Sequence, residues 1–366
     1  MLITIIVALA GIISLLIIHE FGHFIIAKKC GVEVEEFGVG YPPRIHGKRF
    51  GETIYSLNLI PFGAFVKIKG ETGGVEDYRS FAGKPMWQRV SIVLGGVVSF
   101  WVISAIILGI VAGVWGLPTA VGDEERADLI DPMVYVIGAI EDSPAGKAQL
   151  KAGDVIEEIK VSDSRFPISK VGEVQLLTEE HGGKEIILVV KRGEETLELT
   201  VVPRISPPEG EGALGISLTR VALKKYPWYK APLQGVVGSY FLTANVVSGW
   251  VLGIKSLLGT AELPPGVNFE LMGPLGIFDL LREYFARGIN YFLYLISLIA
   301  VALALANILP IPALDGGKLV FLGIEAVRRK PISPKLEQNI TGTFFVLLIV
   351  FMLYITLKFD LPRLFS

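Results

Sequence analysis

His19-Glu20-Phe21-Gly22-His23 has the residue types and the spacing of a metal-dependent hydrolytic site. Two histidines four apart project from one face of a helix, the spacing needed to grip a single Zn²⁺. The glutamate beside the first of them can then take a proton from metal-activated water. The setting strengthens this reading, because the preceding stretch from Leu2 to Ile18 holds nothing more polar than Thr4 and Ser14. An ionisable group at membrane depth marks a functional site by default. The chain has only four histidines, and two of them fall inside this motif. His46, in a Gly/Pro-rich stretch, and His181, before Gly182-Gly183, read as solvated loop residues.

Catalytic zinc takes three protein ligands and keeps one position open. The candidate third ligand is Asp315, in Asn307-Ile-Leu-Pro-Ile-Pro-Ala-Leu-Asp315-Gly316-Gly317, where two prolines and two glycines break a helix. Broken backbone at membrane depth is tolerated where it lines a cavity. A plainer reading has Asp315 capping the helix that follows. Glu325 is the other acid nearby and is expected on the solvated side of that helix.

These residues need membrane elements to carry them. About half of the residues are apolar (51%) and only 19% are charged, a balance that points to a bilayer rather than water. A net charge of −2 leaves no electrostatic footprint for nucleic acid. The single Cys30 excludes an internal disulfide framework. The N-terminus lacks the basic start of a cleaved leader, and its apolar run continues to Lys28-Lys29. Residues 2–27 therefore read as a retained transmembrane helix, with further spans at 90–115, 289–308 and 340–357. Residues 33–70 alternate aromatic, Gly, Pro and β-branched positions and read as short strands.

From 123 to 208 charges return and apolar runs shorten. Strands are expected at 134–140, 155–160, 186–191 and 197–202, with a helix at 171–180. This is the pattern of a small αβ domain with its own core. Residues 209–288 form a connecting segment whose apolar part, 232–258, is interrupted by polar residues and then by Pro264-Pro265-Gly266 and Gly273-Pro274-Leu275-Gly276. The lysines and arginines between the first two spans, and Arg328, Arg329, Lys330 and Lys335 between the last two, place both loops in the cytoplasm. The αβ domain then lies outside. His19 sits roughly 25 Å along a ~30 Å apolar core, near the cytoplasmic side. Asp315 must reach the same depth, so its span runs parallel to the first and an odd number of crossings separates them. On that count, 232–258 lies on the outer leaflet or dips into it, as an amphipathic or re-entrant segment.

The combination of H-E-x-x-H in a first span, Ser143-Pro-Ala…Leu150-Lys-Ala-Gly-Asp154-Val-Ile and a late N-x-x-P-x-P-x-L-D-G resembles the site-2 protease family, within it the bacterial RseP-like regulators of intramembrane proteolysis. The resemblance implies a polytopic α-helical membrane protein with four transmembrane helices, a membrane-associated β-hairpin and one PDZ-like extracytoplasmic insert. It implies a zinc endopeptidase of the bacterial inner membrane, with His19, His23 and Asp315 on Zn²⁺ and Glu20 as catalytic base. It also implies substrate contacts from Asn307 and from the hairpin at 52–70, where Gly63-Ala64-Phe65 stands for the commoner Gly-Gly-Tyr. The partners implied are the lipid bilayer and single-span membrane proteins, such as trimmed anti-sigma factors or remnant signal peptides. The second span departs from the family, reading Gly95-Gly96-Val97-Val98-Ser99-Phe100 where Gly-Pro-x-x-Asn-Phe is common. A non-catalytic scaffold that binds peptides through the PDZ-like insert is the competing reading. Oligomeric state is left open.

Overall fold

The computed structural model describes residues 2–71, 77–124, 129–193, 195–261 and 271–362; Pro264-Pro265-Gly266 lies outside them. Among the described residues, five helices are long and apolar enough to cross a bilayer. They belong to α1 (Leu2–Lys29), α2 (Met86–Val114), α5 (Ala231–Leu257), α7 (Ile289–Ile308) and α9 (Pro334–Ile355), the last continuing through a π-helical turn at Thr356–Asp360. Two shorter helices, α6 (Pro274–Arg287) and α8 (Asp315–Arg328), flank α7. Leu15 of α1, Val97 and Phe100 of α2, Leu281 of α6 and Ala300 of α7 meet in one buried cluster. By contrast, only 6% of the most apolar stretch of α9 is buried.

Helix α5 narrows one expectation, that 232–258 is amphipathic or re-entrant, by removing the re-entrant alternative. It is a single unbroken helix of 27 residues, about 40 Å long, and an unbroken helix does not turn back as a re-entrant segment would. It lies along α2 because glycine allows backbone contact: a Cβ on Gly235 would stand 2.1 Å from the Ala105 carbonyl oxygen. One of the polar residues that interrupt its apolar pattern in sequence, Thr243, finds partners inside the protein. Trp101 Nε1 donates to Thr243 Oγ1 (3.2 Å), and Thr243 Oγ1 donates to the Ser239 carbonyl (2.8 Å). The stretch from α5 to α6 nevertheless begins and ends beside the αβ domain. Tyr226 N–H, just before α5, bonds the Ala112 carbonyl near the end of α2. Arg287, at the end of α6, bonds the Gly153 carbonyl of that domain.

Between α1 and α2 run β1 (Val34–Phe50) and β2 (Thr53–Ile68). Both fold back, so their halves form a four-ribbon sheet in the order 64–68, 34–39, 54–57, 46–50. An aromatic cluster of Phe24, Phe37 and Tyr55 fixes this sheet to the end of α1. Glu52, in the turn, receives a hydrogen bond from Lys28 (2.5 Å) and another from Arg79.

The αβ domain is a seven-stranded sheet consistent with a PDZ-like domain, in the order β3 (Leu117–Ala120), β9 (Ile216–Lys224), β4 (Leu129–Ala139), β5 (Val155–Val161), β7 (Ile186–Arg192), β8 (Glu195–Val201). A short β6 (Ser164–Pro167) pairs with β5, and helices α3 (Pro144–Lys147) and α4 (Val171–Glu180) complete the unit. Strands β3 and β9 lie outside the 123–208 stretch read from sequence. They join the sheet to the end of α2 and to the lead into α5, so both chain connections of the domain enter the membrane part through neighbouring strands.

Candidate active site

Four sequence candidates come together where α1 ends. His19 and His23 lie on consecutive turns of α1, and their Nε2 atoms are 3.3 Å apart. Asp315 Oδ2 is 3.4 Å from each of them. Three donors held about 2.0–2.2 Å from one tetrahedral ion stand roughly 3.3–3.6 Å apart, so the observed triangle has the dimensions of a zinc-ligand face. Asp315 Oδ2 is also fully buried with no hydrogen-bond partner. An unsatisfied carboxylate oxygen is costly in such a place unless a cation belongs beside it. The donor set therefore fits Zn²⁺.

The supports of this triangle are local. His23 Nδ1 lies 2.9 Å from the Ile92 carbonyl, which fixes the ring with Nε2 turned inward. His19 stacks on Phe100, with ring centroids 4.8 Å apart. Helices α1 and α2 approach through glycines: a Cβ on Gly22 would lie 2.2 Å from the Gly95 carbonyl oxygen, and one on Gly96 would lie 2.2 Å from His23 Nε2. Ser99, where the family often has asparagine, donates to the Gly96 carbonyl (2.6 Å). On the other side, the chain after α7 turns sharply so that Asp315 opens α8. Cβ atoms on Gly316 and Gly317 would fall 2.1 Å from the Leu309 and 2.3 Å from the Ile311 carbonyl oxygen. Asp315 thus also stands in the first turn of α8, where the helix dipole favours negative charge.

Glu20 faces a polar cavity of about 260 Å³ that the triangle shares with Tyr41, Phe65, Val66, Glu71 and Lys318. Its Oε2 accepts a hydrogen bond from Val66 N–H (3.0 Å). Val66 belongs to the outermost ribbon of the hairpin sheet, so an open strand edge runs beside the carboxylate. Phe65 lines the cavity. Gly63 does not; it has φ +99° and lies under the Tyr41 ring. Asn307 is not among the lining residues either, and its Nδ2 donates to the Leu303 carbonyl one turn back (2.9 Å).

Sequence reasoning missed several contributors. The packing role of Gly22, Gly95 and Gly96 gave no signal, because a close crossing of two helices leaves no spacing pattern in either. Glu71 and Lys318 form an ion pair at the cavity, yet they are 247 residues apart in the chain. Glu325 is not on a solvated side: its carboxylate pairs with Arg89 (2.8 Å) and accepts from Ile332 N–H (2.9 Å), with the side chain 10% exposed. The Arg89 cation, half-buried at the start of α2, draws it inward.

The family model for peptidase family M50 matches residues 7–351. The chain belongs to that family. A Clostridium perfringens protein named "Putative zinc metalloprotease" is 32% identical over 97% of each chain. The "Regulator of sigma-W protease RasP" of Bacillus subtilis is 26% identical over 96% of each. The "Zinc metalloprotease RasP" of Oceanobacillus iheyensis is also 26% identical, over 95% of this chain and 96% of its own. As a member of the family, this membrane-spanning chain is a zinc metalloendopeptidase.

Proposed function

We propose that the enzyme cuts the transmembrane segments of other membrane proteins inside the bilayer, with His19, His23 and Asp315 holding zinc and Glu20 as the base. The observation that carries this reading is the donor triangle at the end of an apolar helix, with Glu20 and an open strand edge beside it. Bound zinc supplies Lewis acidity and acidifies water. Glu20 accepts the proton of the attacking water and returns it to the leaving amine. The ribbon at 64–68 takes the substrate as an added strand, which replaces the helical hydrogen bonds lost on unwinding. Phe65 and the Gly63 turn shape that edge. Asn307, in the last turn of α7, contributes by bonding the unwound backbone when its link to Leu303 opens.

The PDZ-like domain stands outside the inner membrane and the site lies near the cytoplasmic face, as the positive charges flanking the spans indicate. The substrates are single-span proteins, trimmed anti-sigma factors or remnant signal peptides. The name of the Bacillus relative ties that protein to sigma-factor control. The deciding experiment measures zinc content and cleavage of a model single-span substrate by the full chain. Glu20→Gln should keep its zinc and lose cleavage, and full cleavage by this variant would overturn the mechanism.

A further inference from the structure

A second cavity, about 680 Å³, lies between the αβ domain and the membrane helices, on the αβ-domain side. Its walls grade from polar to apolar. Thr119, Thr219 and Tyr135 of the αβ domain and Arg287 at the end of α6 form one end. Leu108 of α2, together with Val237 and Leu242 of α5, forms the other. Among the described residues, the lining holds one cation, Arg287, whose ion-pair partner Glu283 lies outside the lining, and no carboxylate. Among the described residues, both hydrogen bonds of Arg287, to Glu283 Oε1 (2.5 Å) and the Gly153 carbonyl (3.3 Å), leave from Nη2. Nε and Nη1 therefore carry three N–H donors for another acceptor. Tyr135 and Tyr284 flank the guanidinium, 5.9 and 5.5 Å from ring centroid to Cζ.

Depth supplies the second half of the argument. Leu108 lies six residues inside the end of α2, Phe241 ten residues and Asn245 fourteen residues inside the start of α5. At 1.5 Å per residue, the cavity reaches roughly 9–21 Å into the helices, about one leaflet of a ~30 Å core. Phe241 and Asn245 are both exposed while lining the cavity, so it has a lateral opening along α5, toward the hydrocarbon. A wall that is cationic and phenolic at the interface and mainly apolar below, with Gln234 and Asn245 of α5 as polar exceptions, fits an amphiphile with an anionic head and a fatty chain.

We propose that this cavity binds one anionic phospholipid, its phosphate on Arg287 and the nearby hydroxyls and one acyl chain along Leu108, Val237 and Leu242. The lipid would bridge the αβ domain and the helices on which it sits. The site is separate from the catalytic cavity, with no lining residue in common.

The test uses the full chain, delipidated in a neutral detergent and titrated with phosphatidylglycerol, with bound lipid counted by native mass spectrometry. Phosphatidylcholine of equal chain length and glycerophosphate serve as the other arms. One saturable phosphatidylglycerol site is expected, with phosphatidylcholine weaker by roughly tenfold or more and glycerophosphate not retained. Arg287→Gln should erase the preference for the anionic head. Val237→Trp fills the apolar end without touching Arg287 and should abolish retention while the αβ domain stays docked. Unchanged retention in Val237→Trp, or glycerophosphate binding as tightly as the lipid, overturns the proposal. So does a photo-crosslinker at Val237 that captures a substrate's outer flanking segment with phosphatidylglycerol present, since that outcome makes the cavity a substrate passage.

Discussion

Asp154 in the αβ domain and Asp315 in the membrane part both bury carboxylate oxygen, and they are treated in opposite ways. Asp154 is 1% exposed and fully answered: Arg192 donates from Nε and Nη2 (both 2.7 Å), and Lys151 N–H adds a third bond (2.9 Å). That pairing in turn holds the Arg192 guanidinium above its usual pKa, chiefly through the hydrogen bond. Asp315 Oδ2 faces two imidazole nitrogens and makes no hydrogen bond. A group placed for stability has its valences filled by protein, whereas a group placed for chemistry keeps one for something that arrives later.

That contrast can be broken most severely at Asp315. Asp315→Asn should lower zinc content and reduce cleavage by more than about a hundredfold, since even outer partners of a metal ligand are worth 10–100-fold. It should leave the unfolding of the metal-free protein almost unchanged, and a large loss of apo stability would mean that Asp315 is structural. Gly96→Ala comes next. Its methyl would intrude on His23 Nε2, so metal content and cleavage should fall together while a serine at Val98, on an exposed position of the same helix, changes neither.

Asp154→Asn should do the reverse of Asp315→Asn. Removing the charge strands Arg192 and should cost the αβ domain about 2–3 kcal/mol, read as faster hydrogen exchange in β5 and β7, with zinc content intact. The smallest effect concerns Glu52, whose carboxyl is held below its ordinary pKa, mainly by hydrogen bonds from Lys28 and Arg79. A depressed carboxylate stabilises the fold above its unfolded pKa, and that contribution disappears as pH falls through the lower folded value. Hairpin exchange should therefore quicken as pH falls below the ordinary carboxylate range, by a few tenths of a kcal/mol for so exposed a pair, and Glu52→Gln should remove the pH step.

How legible the molecule was follows from the same physics. That His19, Glu20, His23 and Asp315 come together could be read because chemistry constrains residue type and helical spacing along the chain. The strands and helix of the αβ domain could be read because period-2 and period-3.6 patterns are local. The α1–α2 glycine crossing could not, since it depends on which helices meet. The polar residues of α5 misled for the same reason: Thr243 looks like an interruption until Trp101 is set beside it. Strands β3 and β9 were hidden because each abuts a long apolar helix, whose pattern overruns their short signals.

The loose packing of α9 has a consequence for how this enzyme holds its shape. At one end, Asp360 is buried and accepts from Gly273 and Leu275 N–H (2.9 and 3.2 Å), but along its length the helix leans on little protein. In a bilayer, fatty chains would be its side-on neighbours, and its 22 residues span about 33 Å. A thinner bilayer would tilt such a rod and a thicker one would straighten it. The thickness of the host membrane thus becomes a geometric parameter of the protein, as much a part of its architecture as any side chain.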